Sequence, residues 1–218
     1  MNKDWSEKNK KIQKLLSKET TFGEAIKKLI EFREELFQQI SWIVGGYPEK
    51  AFSQLPFAGA KGYHSKTLAY SIWHIFRIED IVAHTLINRD AQIFFSGNYK
   101  ERINSPIITT GNELVKNEIA DFSKQLDIDE LYAYISEVRR STENILQQMP
   151  YEMLKQKIPA ESRESLQKMN VVSSDEKAVW LIDYWCSKDI RSLIQMPFSR
   201  HWIMHIEASL RIKSKIRP

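Results

Sequence analysis

The chain has a single cysteine, Cys186, in 218 residues. That excludes an intrachain disulfide and fits a reducing compartment. Cys186 reads as a small core residue rather than a nucleophile. Glycine and proline are also scarce, at seven each, and they fall in a few places. Long uninterrupted helices fit this better than many short strands joined by turns. Charge interrupts every apolar stretch well short of the ~20 residues of a bilayer span. The N-terminal residues lack the basic-then-apolar pattern and small-residue cleavage site of a secretory signal. A cytoplasmic protein with no membrane partner is therefore expected. The charge excess is small, a net +4. Lysines gather at the two ends, in "KNKKIQKLLSK" and "RIKSKIRP", interleaved with apolar residues as on solvated helix faces. A nucleic-acid surface needs a denser basic stripe with aromatics beside it, so no nucleic-acid partner is expected.

What remains is the balance of a globular protein, 42% hydrophobic and 28% charged, over a length that suits one domain with a substantial core. Residues 1–19 read as a helical extension ahead of it. The first strong helix opens at "TTFGEAIKK", where Thr21 and Glu24 have the spacing of a capping box, and Gly45 and Gly46 end it. A second helix runs from about Ser65 to Asn88, after a loop at 47–64. Residues 90–110 read as a long connection with Phe94, Phe95 and Tyr99 tucked in. A shorter helix is expected over 111–125, capped by Thr110 and Glu113. The next starts at Asp127 and places Leu131, Ile135, Val138, Thr142, Ile145 and Met149 in steps of four and three, the stripe of a helix buried in a bundle. Pro150 and Pro159 bracket another connection. Ser173 and Glu176 cap a helix that Ser187 bends or restarts. Pro197 breaks it, and Ser199 caps the last helix. Together these predict an all-α fold, an antiparallel four-helix bundle with additional short helices, in one domain over residues 1–218.

Five histidines carry the chemistry. On a wheel of the last helix with His201 at the origin, His205, Ala208, Ser209 and Ile212 all lie within about 80° of it, while Glu207 and Arg211 fall well away. On the second helix His74 sits at the centre of an apolar stripe, with Ile75, Ile78, Ile81, Val82 and Thr85 within about 100°. Arg77, His84 and Asp80 fall at about 300°, 280° and 240°, on the expected solvent side. His84 and Asp80 thus read as a surface pair. Glu79 lies at the edge of the interior, and His64 reads as a loop residue near a cap. A buried imidazole must hydrogen-bond or bind something, because an unsatisfied polar group in the interior costs about 1–3 kcal/mol. In an antiparallel bundle His74 meets His201 and His205, and three neutral imidazoles from two helices make a facial site for zinc or nickel with positions left open. Periodicity alone leaves this reading beside a second, a hydrogen-bonded histidine cluster in the core. The pair is not a zincin motif, since Trp202 follows His201 where that motif has glutamate.

The segments "TLAYSIWHIFRIEDIVAHTLI" and "PFSRHWIMHIEASLRI" resemble the histidine-bearing second helix and the closing His-x-x-x-His helix of the DinB/YfiT-like superfamily. The resemblance spans about residues 20 to 215, though only these two segments are specific. It implies a four-helix bundle in up-down-down-up order, often a homodimer, with a divalent ion held by His74, His201 and His205. A polar residue, often glutamine, that follows the last histidine in the family is replaced here by Ala208 and Ser209. Activities in the family include transfer of low-molecular-weight thiols and a thiol-dependent isomerisation. The implied function is a metal-dependent thiol transferase or hydrolase acting on a small molecule. The alternative is a ligand-binding or interaction protein on the same bundle, with the metal structural or lost. Tyr70, Ser71 and Tyr184 are candidate polar groups of the pocket, and Trp73 and Trp202 adjoin the candidate ligands. The connections at 47–64 and 90–110 are where specificity is expected.

Overall fold

In a computed structural model, which describes residues 2–216, the chain is all-helical, with no strand among the described residues. Helix α1 (Lys3–Leu15) is capped by the Asn2 side chain and lays Trp5 and Ile12 on α2 (Phe22–Val44). Thr21 precedes α2 but does not cap it. A 3₁₀ turn over Glu19–Thr21 has already wound the backbone, and the Thr21 hydroxyl donates to Leu15 O at 2.7 Å, sealing the corner with α1. Helix α3 (Leu68–Asp80) is capped by Thr67, whose hydroxyl accepts from Tyr70 N at 3.1 Å. It continues as a wider π turn over Ile81–Asn88 and stops at Arg89, in the left-handed conformation.

The connection after it holds two short helices, α4 (Ile93–Ser96) and α5 (Tyr99–Arg102). They bury Phe94 and Tyr99, whereas Phe95, expected to be tucked in, is 40% exposed. The helix expected from 111 begins later, as α6 (Asn117–Ser123). Its expected caps are spent in a turn, Thr109 bonding Glu113 and Thr110 donating to Asn112 Oδ1 at 2.8 Å. Helix α7 (Ile128–Gln148) starts on Asp127 as expected and buries Leu131, Ile135, Val138, Thr142 and Leu146. Past Pro159 comes α8 (Ala160–Met169), a helix the sequence did not suggest.

Helix α9 (Glu176–Cys186) is capped by Asp175, with Ser173 one turn-contact further out. Helix α10 (Ile190–Gln195) restarts on Asp189 rather than Ser187. Pro197 does not break the chain before α11 (His201–Lys213). Met196–Arg200 instead widens into a π turn that runs straight into α11. Proline lacks an N–H and its ring crowds the preceding turn, and the wider winding accommodates both. Ser199 therefore caps nothing, and its hydroxyl donates back to Gln195 O at 3.1 Å.

The long helices α2 and α3 each pack against both α7 and α11. Helix α3 is buried on every side, Leu68 through Ile87 without exception. That corrects the expectation of a solvent side carrying Arg77, Asp80 and His84. The excursion through α4, α5 and residues 105–111 covers the face that a wheel would assign to water. Its charges are paired internally. Glu79, fully buried rather than at an edge, receives Arg33 of α2 at 2.7 and 3.0 Å and Trp202 Nε1 of α11 at 2.8 Å. The same guanidinium donates to Phe198 O at 3.0 Å and lies 4.4 Å from the centre of the Trp202 ring. Asp80 accepts from Ile93 N, Phe94 N and Tyr134 OH at 2.8–2.9 Å, with Arg77 Nη1 at 3.5 Å. Burial pushes the Asp80 carboxyl up, against the pull of Arg77.

Removing one partner of a buried pair leaves an uncompensated charge. Glu79→Ala should therefore lower the free energy of unfolding by about 3–5 kcal/mol in urea titrations at pH 7. Pairing it with Arg33→Met should cost less than the two single changes added together, and strict additivity would show that the pair does not couple.

Candidate metal centre

His74 comes from the middle of α3, and His201 and His205 from the first two turns of α11. All three are buried, at 5%, 6% and 2% exposure. Each offers a ring nitrogen within 4.8 Å of those of the other two. Ring centres are 4.6–5.0 Å apart. The three histidines that the wheels place on inward faces are thus brought together. Ala208, Ser209 and Ile212 are buried beside them, as expected.

Tautomer decides which nitrogens are free. His74 Nδ1 lies 2.7 Å from Thr110 O. A carbonyl only accepts, so Nδ1 carries the proton and the Nε2 lone pair is left for another partner. His201 Nδ1 and both nitrogens of His205 are buried without a hydrogen-bond partner among the described residues. A core cluster satisfied by its own hydrogen bonds would not leave these atoms orphaned. Desolvation holds the His74 imidazolium down to about 4, against the Thr110 carbonyl and with help from the nearby Lys66 charge. Burial, then the neighbouring histidines, hold His201 and His205 well below their usual value. All three are neutral at pH 7, the state a metal ligand requires.

The donor set fits a borderline divalent ion, three neutral imidazoles with at most four or six positions to fill.

The surroundings are equally specific. Tyr70 stacks on His74 at 5.4 Å between ring centres, nearly parallel, and its hydroxyl donates to Gly111 O at 2.9 Å. Desolvation keeps that phenol protonated. Gly111 has φ +75°, and a Cβ there would lie 3.0 Å from the Tyr70 ring. Only glycine suits this close approach in a left-handed conformation. Tyr63 meets His205 edge to face at 4.7 Å. His74 and His201 line a cavity of about 280 Å³, together with Tyr63, Asn112 and residues of α9.

The remaining candidates sort cleanly. Tyr184 lines the cavity. Ser71 donates to Thr67 O at 2.9 Å and stays within its own helix. Trp73 is buried in an aromatic cluster with Phe94, Phe122 and Tyr134, and Trp202 is held by Glu79. Cys186 is half-buried, with its thiol pushed up by desolvation. His84 is buried, not at the surface, and its Nδ1 donates to Asp90 at 2.6 Å. His64 lies in a 3₁₀ turn, 3.5 Å from Arg211. Neither joins the cluster. The Thr110 carbonyl was not legible in the sequence, since a backbone acceptor has no side-chain signature. Asn112, Trp180 and Trp185 complete the cavity.

The histidines also predict a pH dependence. A group whose folded pKa is depressed takes up its proton more readily once the chain unfolds. Its contribution is whole above about 6.5 and is lost as pH falls toward 4. For His74 alone the loss is on the order of 3 kcal/mol. Metal-free protein followed by urea denaturation should lose stability steeply between pH 6.5 and 4. A flat profile there would mean the rings are solvated. Compared with models of known protein families and with curated proteins, the chain finds no match in either, so the assignment of this centre rests on its own geometry.

Proposed function

We propose that His74, His201 and His205 hold one divalent ion, zinc or nickel, and that the protein uses it on a small molecule, as a thiol transferase or a hydrolase. On this reading the chain is a DinB/YfiT-like four-helix bundle, with α2, α3, α7 and α11 in up-down-down-up order. The mutual packing of those helices supports the arrangement. The observation that carries the proposal is the set of buried, unpartnered nitrogens on His201 and His205, facing a His74 whose other nitrogen is fixed by Thr110.

A bound divalent ion supplies Lewis acidity, lowering the pKa of a thiol or water that reaches its open positions. The protein's own residues do the rest. Thr110 fixes the His74 tautomer and ring plane. Tyr70 and Tyr63 pack against His74 and His205 and limit water around them. The cavity lets a substrate approach His74 and His201 from one side. A second reading, ligand binding without turnover, is favoured by one observation: among the described residues no carboxylate lines the cavity, and the buried Glu79 is engaged by Arg33 and Trp202.

Elemental analysis of purified protein should find close to one zinc or nickel per chain. His74→Ala and His201→Ala should each retain the helical circular-dichroism spectrum and weaken metal binding by more than roughly 100-fold, the upper end of what losing a ligand's own hydrogen-bond partner costs. Protein that neither carries nor takes up either ion on titration would leave only a buried histidine cluster.

A further inference from the structure

The cavity beside the histidines has a chemical character of its own. Helix α9 contributes Trp180, Leu181, Tyr184 and Trp185, and the π turn before α11 contributes Met196 and Pro197. The α9 residues recur at one-, three- and one-residue steps, which places them along one face of the helix. Among the described residues no lysine, arginine, aspartate or glutamate lines the space. With no ion on the histidines, a charged ligand would give up its hydration there without a counter-charge, which is costly. At about 280 Å³ the cavity falls just under the ~300–1,000 Å³ usual for drug-sized ligands, so it suits a compact molecule.

One aromatic wall is fixed before any ligand arrives. Trp185, 1% exposed, backs the cavity without an open ring face. Trp180 is 49% exposed, yet its indole N–H donates to Lys177 O at 2.8 Å and its ring meets Tyr184 edge to face at 5.9 Å. An exposed tryptophan held in this way offers a stacking face at little entropic cost.

One polar group is oriented as well. The Thr110 hydroxyl donates to Asn112 Oδ1 at 2.8 Å, which fixes the amide plane of this cavity residue and occupies its oxygen, so that its Nδ2 is the donor end, with no hydrogen bond to another described residue. On the histidine side His201 Nδ1 is buried and unpartnered.

We infer that this cavity, with no ion on the histidines, binds a compact, uncharged aromatic molecule bearing an acceptor oxygen, its ring against Trp180 and its oxygen on the amide of Asn112. The inference deepens the proposed function and rests on it for which end of the ligand faces the reaction. The binding itself needs only the cavity. Within it, Trp180 selects for an aromatic ring and Asn112 selects for the oxygen.

Isothermal titration of chelator-treated protein separates this from the metal assignment, with zinc uptake measured on the same preparation. Three probes are compared: acetophenone, benzoate as its charged counterpart, and cyclohexyl methyl ketone as its non-aromatic one. Acetophenone should bind at least ~10-fold more tightly than either of the others, a difference of about 1.4 kcal/mol. Trp180→Ala and Asn112→Leu should each weaken acetophenone binding by about the same factor. Both sites are partly exposed, and an unchanged circular-dichroism spectrum confirms that each variant folds. Acetophenone binding without zinc uptake would uphold the cavity and remove the metal. Zinc uptake with no probe bound would do the reverse. Benzoate binding as tightly as acetophenone, or both variants binding like the wild type, would overturn the inference.

Discussion

Helix α3 is sunk into the protein on all sides, and it carries Ser71, His74, Arg77, Glu79, Asp80 and His84 down with it. A buried polar group left without a partner costs about 1–3 kcal/mol, and a buried charge more. The rest of the structure is arranged to meet that demand. Arg33 and Trp202 come to Glu79, Tyr134 and the first turn of α4 come to Asp80, and Asp90 comes to His84. These partners belong to α2, α11, α7 and the 89–110 excursion, so satisfying one helix fixes the positions of its neighbours.

One strip of backbone shows how this reaches the candidate site. Tyr70, His74 and Arg77 are spaced four and three residues apart and share a face of α3. They donate to Gly111 O, Thr110 O and Ile108 O in turn, at 2.9, 2.7 and 3.0 Å. The strip runs antiparallel to the helix, held at three points, and Asn112 follows immediately at the cavity. On the other flank, Trp202 ties α11 to Glu79 at the residue next to His201. The His74 ring is therefore set by a bond that no metal provides, and the helix carrying His201 and His205 is tied down at Trp202. That is the preorganisation a metal centre needs before its ion arrives.

Much of this was legible beforehand. The wheels of α3 and α11 selected His74, His201 and His205 because small and apolar residues surround them in sequence at helical steps, and the same residues are buried together. The Asp127 cap and the stripe from Leu131 to Thr142 agree with the structure, while Leu146 rather than Ile145 continues it. The failures have one physical source. A wheel assigns charges to water, and Arg77, Asp80 and His84 were placed there. Their true environment is built by residues 89–111, whose contacts are mostly backbone. From Ile81 onward the π winding also departs from 100° per residue, so a straight wheel loses its register. Pro197 misled in the same way, since a wider turn absorbed it where a break was expected.

The central claim is that three preset imidazoles form one metal centre, and X-ray absorption of the zinc- or nickel-loaded protein tests it most directly. The account predicts a first shell of nitrogen and oxygen near 2.0–2.1 Å, roughly the distances of imidazole ligation. The outer-shell scattering should correspond to three rings, and no sulfur should appear. A sulfur scatterer, or the signature of a single ring or none, would contradict it.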